Sequence, residues 1–101
     1  MSLDVIGLGV STLDILSLVD AFPSGDDVQR AEAVAVQGGG PVSTAIVTAA
    51  ALGARTAMID RVGDDWRGTS IMAEYRQIVR QLEAAQAALK AELTACLGGK
   101  A

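Results

Sequence analysis

The sequence predicts an α/β fold, and three features carry that prediction. Residues 3–10 and 13–19 are short apolar runs of strand length. Residues 28–62 then spell strand, helix, strand, a unit that pairs its strands in parallel through a right-handed crossover. From Trp66 onward no proline interrupts a helical pattern.

Each element follows from its residues. Residues 3–10 and 13–19, separated by Ser11 and Thr12, read as two buried strands. Phe22-Pro23-Ser24-Gly25 marks a loop over residues 20–27. Residues 28–36 alternate, with Val28, Arg30, Glu32, Val34 and Val36 on one side and Gln29, Ala31, Ala33 and Ala35 on the other, as in a strand of small residues with one exposed face. Gly38-Gly39-Gly40-Pro41 opens a helix, because proline in the first turn forfeits no hydrogen bond, and Gly53 closes it. Residues 56–62 are the next strand, and Asp64 or Asp65 caps the final helix, whose stop is Gly98-Gly99. Within that helix Ile71, Tyr75, Ile78, Leu82, Ala85 and Leu89 follow heptad spacing, which suits a helix pair, whereas Leu93 and Leu97 drift as on one amphipathic helix packed against its own sheet.

Composition bounds the function. The 101 residues suit one folding unit and are 50% apolar, with 18 alanines and three aromatics, so the core should be thin and a partner is expected over its apolar faces. Eight basic against twelve acidic residues, net −4, offer no phosphate-neutralising excess, so no nucleic-acid partner is expected. The balance is uneven: residues 1–66 carry net −6 and residues 67–101 net +2. With Cys96 alone and no histidine, neither an intrachain disulfide nor a Cys/His zinc site can form, which fits a reducing, cytoplasmic location. No apolar run reaches membrane-span length, so no membrane partner is expected either.

Few residues could carry chemistry. Asp14 lies among Leu13, Ile15 and Leu16, where a carboxylate either meets hydrogen-bond donors such as sugar hydroxyls or stands at a strand end facing water. The triplet Gly38-Gly39-Gly40 before a helix admits close approach of an anion or hydroxyl, or is simply a connection. No Gly-Lys-Ser/Thr follows, which excludes a P-loop, and Gly7-Leu8-Gly9 lacks the third glycine of a dinucleotide fingerprint. Ser43 and Thr44 either cap the helix or face a ligand. Asp64 and Asp65 read as capping residues, and Cys96 lies at the wrong helix end for thiolate activation.

Taken in order, these pieces resemble the N-terminal part of the ribokinase-like carbohydrate kinases, the PfkB family, over residues 3 to about 75. The matching series is Gly9-Val10-Ser11-Thr12-Leu13-Asp14, then Phe22-Pro23 with the strand at 28–36 as a lid, then Gly38-Gly39 and its helix through Leu52-Gly53, then Val62-Gly63-Asp64-Asp65. The resemblance implies a partial ribokinase-like, Rossmann-like sheet with lid-type strands. It implies that Asp14 accepts hydrogen bonds from substrate hydroxyls and that Gly38 and Gly39 let the substrate lie against backbone. Thr12 and Ser43 stand where the family often has asparagine, which leaves open which sugar or related alcohol is bound. ATP and Mg²⁺ are implied for the complete family enzyme, but the late Gly-Ala-Gly-Asp motif that carries its general base does not occur. No cofactor is therefore expected on this chain alone.

The expectation is an α/β sugar-kinase segment, truncated or rearranged, with residues 1–66 holding part of a substrate site and residues 67–101 a long helix. Its catalytic contribution alone would be none and its metal ligands none; a homo-oligomer is expected, because lid strands of the family commonly form dimer contacts. The alternative is a non-catalytic homo-oligomeric scaffold, or an engineered derivative, held by the C-terminal helix.

Overall fold

The computed structural model describes residues 2–97, in the order β1 (Val5–Leu8), β2 (Thr12–Leu18), β3 (Ala33–Gly39), α1 (Pro41–Ala51), β4 (Thr56–Ile59) and α2 (Trp66–Cys96). β1 and β4 pair in parallel, Val5 opposite Thr56 and Leu8 opposite Ile59. β2 and β3 form a separate antiparallel pair, Thr12 opposite Gly39 and Leu18 opposite Ala33.

The α/β class holds, but the crossover unit differs from the one expected over residues 28–62. β3 and β4 belong to different sheets, and the parallel strands joined through α1 are β1 and β4. The reason is local: the loop over residues 19–32 reverses the chain, and β3 then finds β2 as an antiparallel neighbour without any crossover. The β2–β3 hairpin is thus inserted between β1 and α1. Residues 28–32 lie outside β3, which runs on through Gly38 and Gly39, and β4 stops at Ile59 rather than Val62.

α1 has Pro41 in its first turn, and Gly53, at φ 99°, ends it by taking a backbone conformation that side chains rarely adopt. α1 lies closely on β1: a β-carbon at Gly7 would come within 2.9 Å of Val42 Cγ1 and Ile46 Cδ1. α2 starts where Asp65 Oδ1 accepts from the N–H groups of Arg67, at 3.1 Å, and Gly68, at 3.0 Å. It extends for 31 residues to Cys96, about 46 Å at 1.5 Å per residue. Gly98 and Gly99 lie outside the described residues.

The core is thin, as the alanine-rich composition implies. Ile46 of α1 and Ile71 of α2 are its buried apolar side chains among the described residues, joined by the buried Ser43. The strands expected to be buried are instead largely bare: Ile6, Leu8, Ile15, Leu16 and Leu18 are all at least half exposed. Two-stranded sheets have no central strand, and here helices cover β1–β4 on the α1 side and touch the hairpin near its Gly38–Gly39 end. Ile71, Tyr75, Ile78 and Leu82 of the heptad series turn toward the chain's own elements, whereas Ala85 and Leu89 are exposed. The first half of α2 is therefore an amphipathic helix packed on its own fold.

Candidate functional site

The register of the hairpin sorts the candidate residues. Thr12 is paired with Gly39, Leu13 with Gly38 and Asp14 with Gln37. Opposed residues share a face and successive residues alternate, so Thr12, Asp14 and Gly39 belong to one face and Leu13 and Gly38 to the other. The glycines confirm this: a β-carbon at Gly39 would lie 2.8 Å from Asp14 Cγ and 3.0 Å from Thr12 Oγ1, while one at Gly38 would lie 2.8 Å from Glu74 Oε2.

On the first face Thr12 Oγ1 donates to Asp14 Oδ1 at 2.8 Å, and both residues are half-buried. Asp14 is thus the third residue of β2 rather than a strand-end aspartate, and its neighbour on β3 is bare backbone. A carboxylate whose geometry is set by one internal donor and whose flank is a glycine can accept further hydrogen bonds from a ligand laid along that glycine.

A cleft of about 250 Å³ lies between α1, α2 and the base of the hairpin, bordered by Thr12, Gln37 and Gly39 of the first face as well as by Ser11, Gly38, Ser43 and Tyr75. The Gly38 N–H donates to the Glu74 carboxylate. The Tyr75 hydroxyl bridges Ser11 Oγ at 2.6 Å and Ser43 Oγ at 2.5 Å. Ser43 therefore does not cap α1, whose N-cap residue is Gly40; the residue is 6% exposed and its hydroxyl is satisfied by Tyr75. Thr44 is exposed on the rim. Of the five residues proposed from the sequence to face a substrate, Thr12, Gly38, Gly39 and Ser43 border this cleft, and Asp14 adjoins it through its contacts with Thr12 and Gly39.

Glu74, Tyr75 and Asp60 escaped the sequence reading. Asp60 Oδ2 accepts from the Ser11 N–H at 2.6 Å and Oδ1 from the Arg61 N–H at 2.6 Å. The Ser11 side chain, then its N–H, then the Arg61 N–H hold the Asp60 carboxyl below the ordinary carboxylate range. An acid directly after the strand at residues 56–59 was the available signal. Tyr75 was hidden because heptad spacing treats it as an apolar knob, although a hydroxyl in a packed seam must find a partner. Asp65 caps α2 as expected, Asp64 is exposed, and Cys96 is exposed at the helix C-terminus.

No lysine or arginine borders the cleft, and the described residues contain no group of three side chains able to hold a metal ion. Among the described residues no helix is long and apolar enough to cross a membrane.

The parallel β1–β4 pair, the antiparallel β2–β3 hairpin that ends in Gly38 and Gly39, and the helix seated on the parallel pair make a partial α/β fold of the ribokinase-like type. A solved structure described as "a putative ribokinase from Agrobacterium tumefaciens" is similar to it, with a TM-score of 0.67 and 27% identity over 72% of this chain. The chain spans 24% of that protein's length. No family model matches.

Proposed function

We propose that this chain carries part of the sugar-binding site of a PfkB-type carbohydrate kinase, on the hairpin face formed by Thr12, Asp14 and Gly39. The observation that carries this reading is the seating of the Asp14 carboxylate against the bare backbone of Gly39, with Thr12 fixing one of its oxygens. Asp14 accepts hydrogen bonds from the hydroxyls of a neutral sugar or related alcohol, and Gly39 lets the ring lie flat against β3. Gly38 and Ser43 border the same cleft as Thr12 and Gly39 and extend the proposed site beside that face. The chain's share of the reaction is positioning, which removes orientational freedom before chemistry. Phosphoryl transfer from ATP with Mg²⁺ belongs to the complete enzyme, whose general base and phosphate clamp these residues do not supply. A cytoplasmic location accords with the free Cys96.

The test is sugar binding to the purified chain and to Asp14→Ala, followed by calorimetry with a panel of neutral sugars. The expected result is weak binding of at least one sugar, lost in the variant while the circular dichroism spectrum is unchanged. Equal binding by both proteins rejects the role of Asp14.

A second reading, a homo-oligomer held by the far part of α2, with residues 67–101 acting as the oligomerisation element, is favoured by Leu89, Leu93 and Leu97, exposed by 58%, 55% and 66%. Replacing Leu89 and Leu93 by glutamate dissociates such an assembly in sedimentation equilibrium, and an unchanged mass rejects it.

A further inference from the structure

We infer that Glu74 and Tyr75 are positioning residues: a brace on α2 that holds the base of the hairpin from behind and so presents Asp14 on the other face. The functional half of this inference rests on the sugar-site reading above; the mechanical half does not.

Each grip of the brace lands one residue before a residue of the proposed site. Tyr75 holds Ser11, which precedes Thr12, and Glu74 holds the N–H of Gly38, which precedes Gly39. Thr12 and Gly39 are themselves directly paired and together frame the Asp14 carboxylate. A restraint applied to Ser11 and Gly38 fixes the backbone on either side of the Thr12–Gly39 rung while leaving the Thr12 and Asp14 side chains themselves ungripped by α2. The anchor behind Tyr75 is firm: Ser43 is buried in the first turn of α1 and shares the tyrosine hydroxyl, which can donate to one serine and accept from the other. Asp60, at the end of β4, holds the Ser11 N–H from a third element.

The rest of the hairpin has no comparable support. From Ile15 through Leu18 on β2, and from Ala33 through Gln37 on β3, every residue is exposed. The hairpin is a cantilever clamped at its base, and the angle at which it leaves the fold is set where Ser11 and Gly38 are gripped. A small rotation there swings the Thr12–Asp14–Gly39 group as one body relative to α1 and α2, and loosening of the grip lets the Thr12–Gly39 rung at the base of the ladder fray, which frees Asp14 from its place against Gly39.

The experiment measures amide hydrogen exchange, residue by residue, in the wild type, Tyr75→Phe, Glu74→Ala and Glu74→Gln, with neutral-sugar affinity measured on the same proteins. Tyr75→Phe keeps the ring and removes the bridging hydroxyl; Glu74→Gln keeps the shape and a carbonyl acceptor for Gly38. Loss of one such hydrogen bond is expected to speed exchange at Thr12, Gly38 and Gly39 about three- to tenfold in Tyr75→Phe and Glu74→Ala, with β1 and α1 little affected and Glu74→Gln close to wild type. Sugar affinity is expected to fall in the same two variants and recover in Glu74→Gln. Unchanged exchange at the hairpin base, or an equal rise over the whole chain, overturns the brace. A localised rise in exchange in a wild-type background that binds no neutral sugar upholds the brace and overturns the sugar-site reading instead.

Discussion

Replacing Gly39 by alanine separates the fold from the site in one step. The added methyl would lie 2.8 Å from Asp14 Cγ and 3.0 Å from Thr12 Oγ1, inside ordinary contact distance. Gly39 has no positive φ, so the backbone accepts alanine, and alanine in a strand gains about 0.5–1 kcal/mol over glycine. The clash is with the end of a side chain rather than with backbone, so Asp14 swings aside and the 2.8 Å Thr12–Asp14 hydrogen bond breaks, at a cost of about 1 kcal/mol. The two effects nearly offset, and the melting temperature is expected to stay within a few degrees of wild type. Binding behaves differently. A displaced Asp14 loses one charge-assisted hydrogen bond to the ligand, about 1.5–3 kcal/mol, which weakens affinity about 10- to 100-fold. Thermal melting paired with calorimetric titration of a neutral sugar reads both quantities. An alanine variant that melts normally and binds as tightly as wild type refutes the placement of the ligand on this face.

Three further outcomes test the packing and electrostatics. Gly68→Ala is expected to destabilise despite alanine's better helix propensity: a β-carbon there would overlap the Gly63 carbonyl and come 2.8 Å from its carbon, and backbone cannot yield as a side chain can, so denaturant melts are expected to show a loss of about 1–3 kcal/mol. Ile71→Ala, at 8% exposure and in a core with little else to collapse into the gap, is expected to cost about 2–4 kcal/mol in the same assay. Asp60 has its folded-state pKa lowered, first by the Ser11 side chain and then by backbone N–H groups, so its contribution is fully present above the unfolded aspartate value and is lost as pH falls through the lower folded value. The stability gap between wild type and Asp60→Asn is therefore constant near neutrality and narrows below about pH 4, as measured by melts across a pH series.

The sequence made legible what is local. Pro41 and Gly53 bounded α1, Asp65 marked the start of α2, and the strand-length runs located β1, β2 and β4 to within a few residues. What it could not disclose was pairing. The alternation at residues 28–36 is the same whether that strand joins β2 or β4, and antiparallel return to β2 won because it needs only a loop. Burial was misjudged for a related reason: the apolar runs at residues 3–10 and 13–19 describe strands that could be covered, and no element of this chain covers most of them. The site was half visible. Thr12, Asp14, Gly38, Gly39 and Ser43 were found as residue types in order, but which face each occupies follows from a register that a single strand does not encode. Glu74 and Tyr75 act across at least 32 residues of chain, on Gly38, Ser11 and Ser43, and no local pattern announces such a contact.

The proposed site places a neutral sugar on the Thr12–Asp14–Gly39 face. The most direct measurement is a nuclear magnetic resonance titration of the isotopically labelled chain with neutral sugars, which maps weak binding residue by residue. The Thr12, Asp14 and Gly39 amides are expected to shift with one sugar, and those of Thr12 and Gly39 to stay still in Asp14→Ala. Shifts confined to Ser43, Tyr75 and the α1–α2 side of the cleft, with Thr12 and Gly39 unmoved, or no shifts with any sugar, contradict the proposed site.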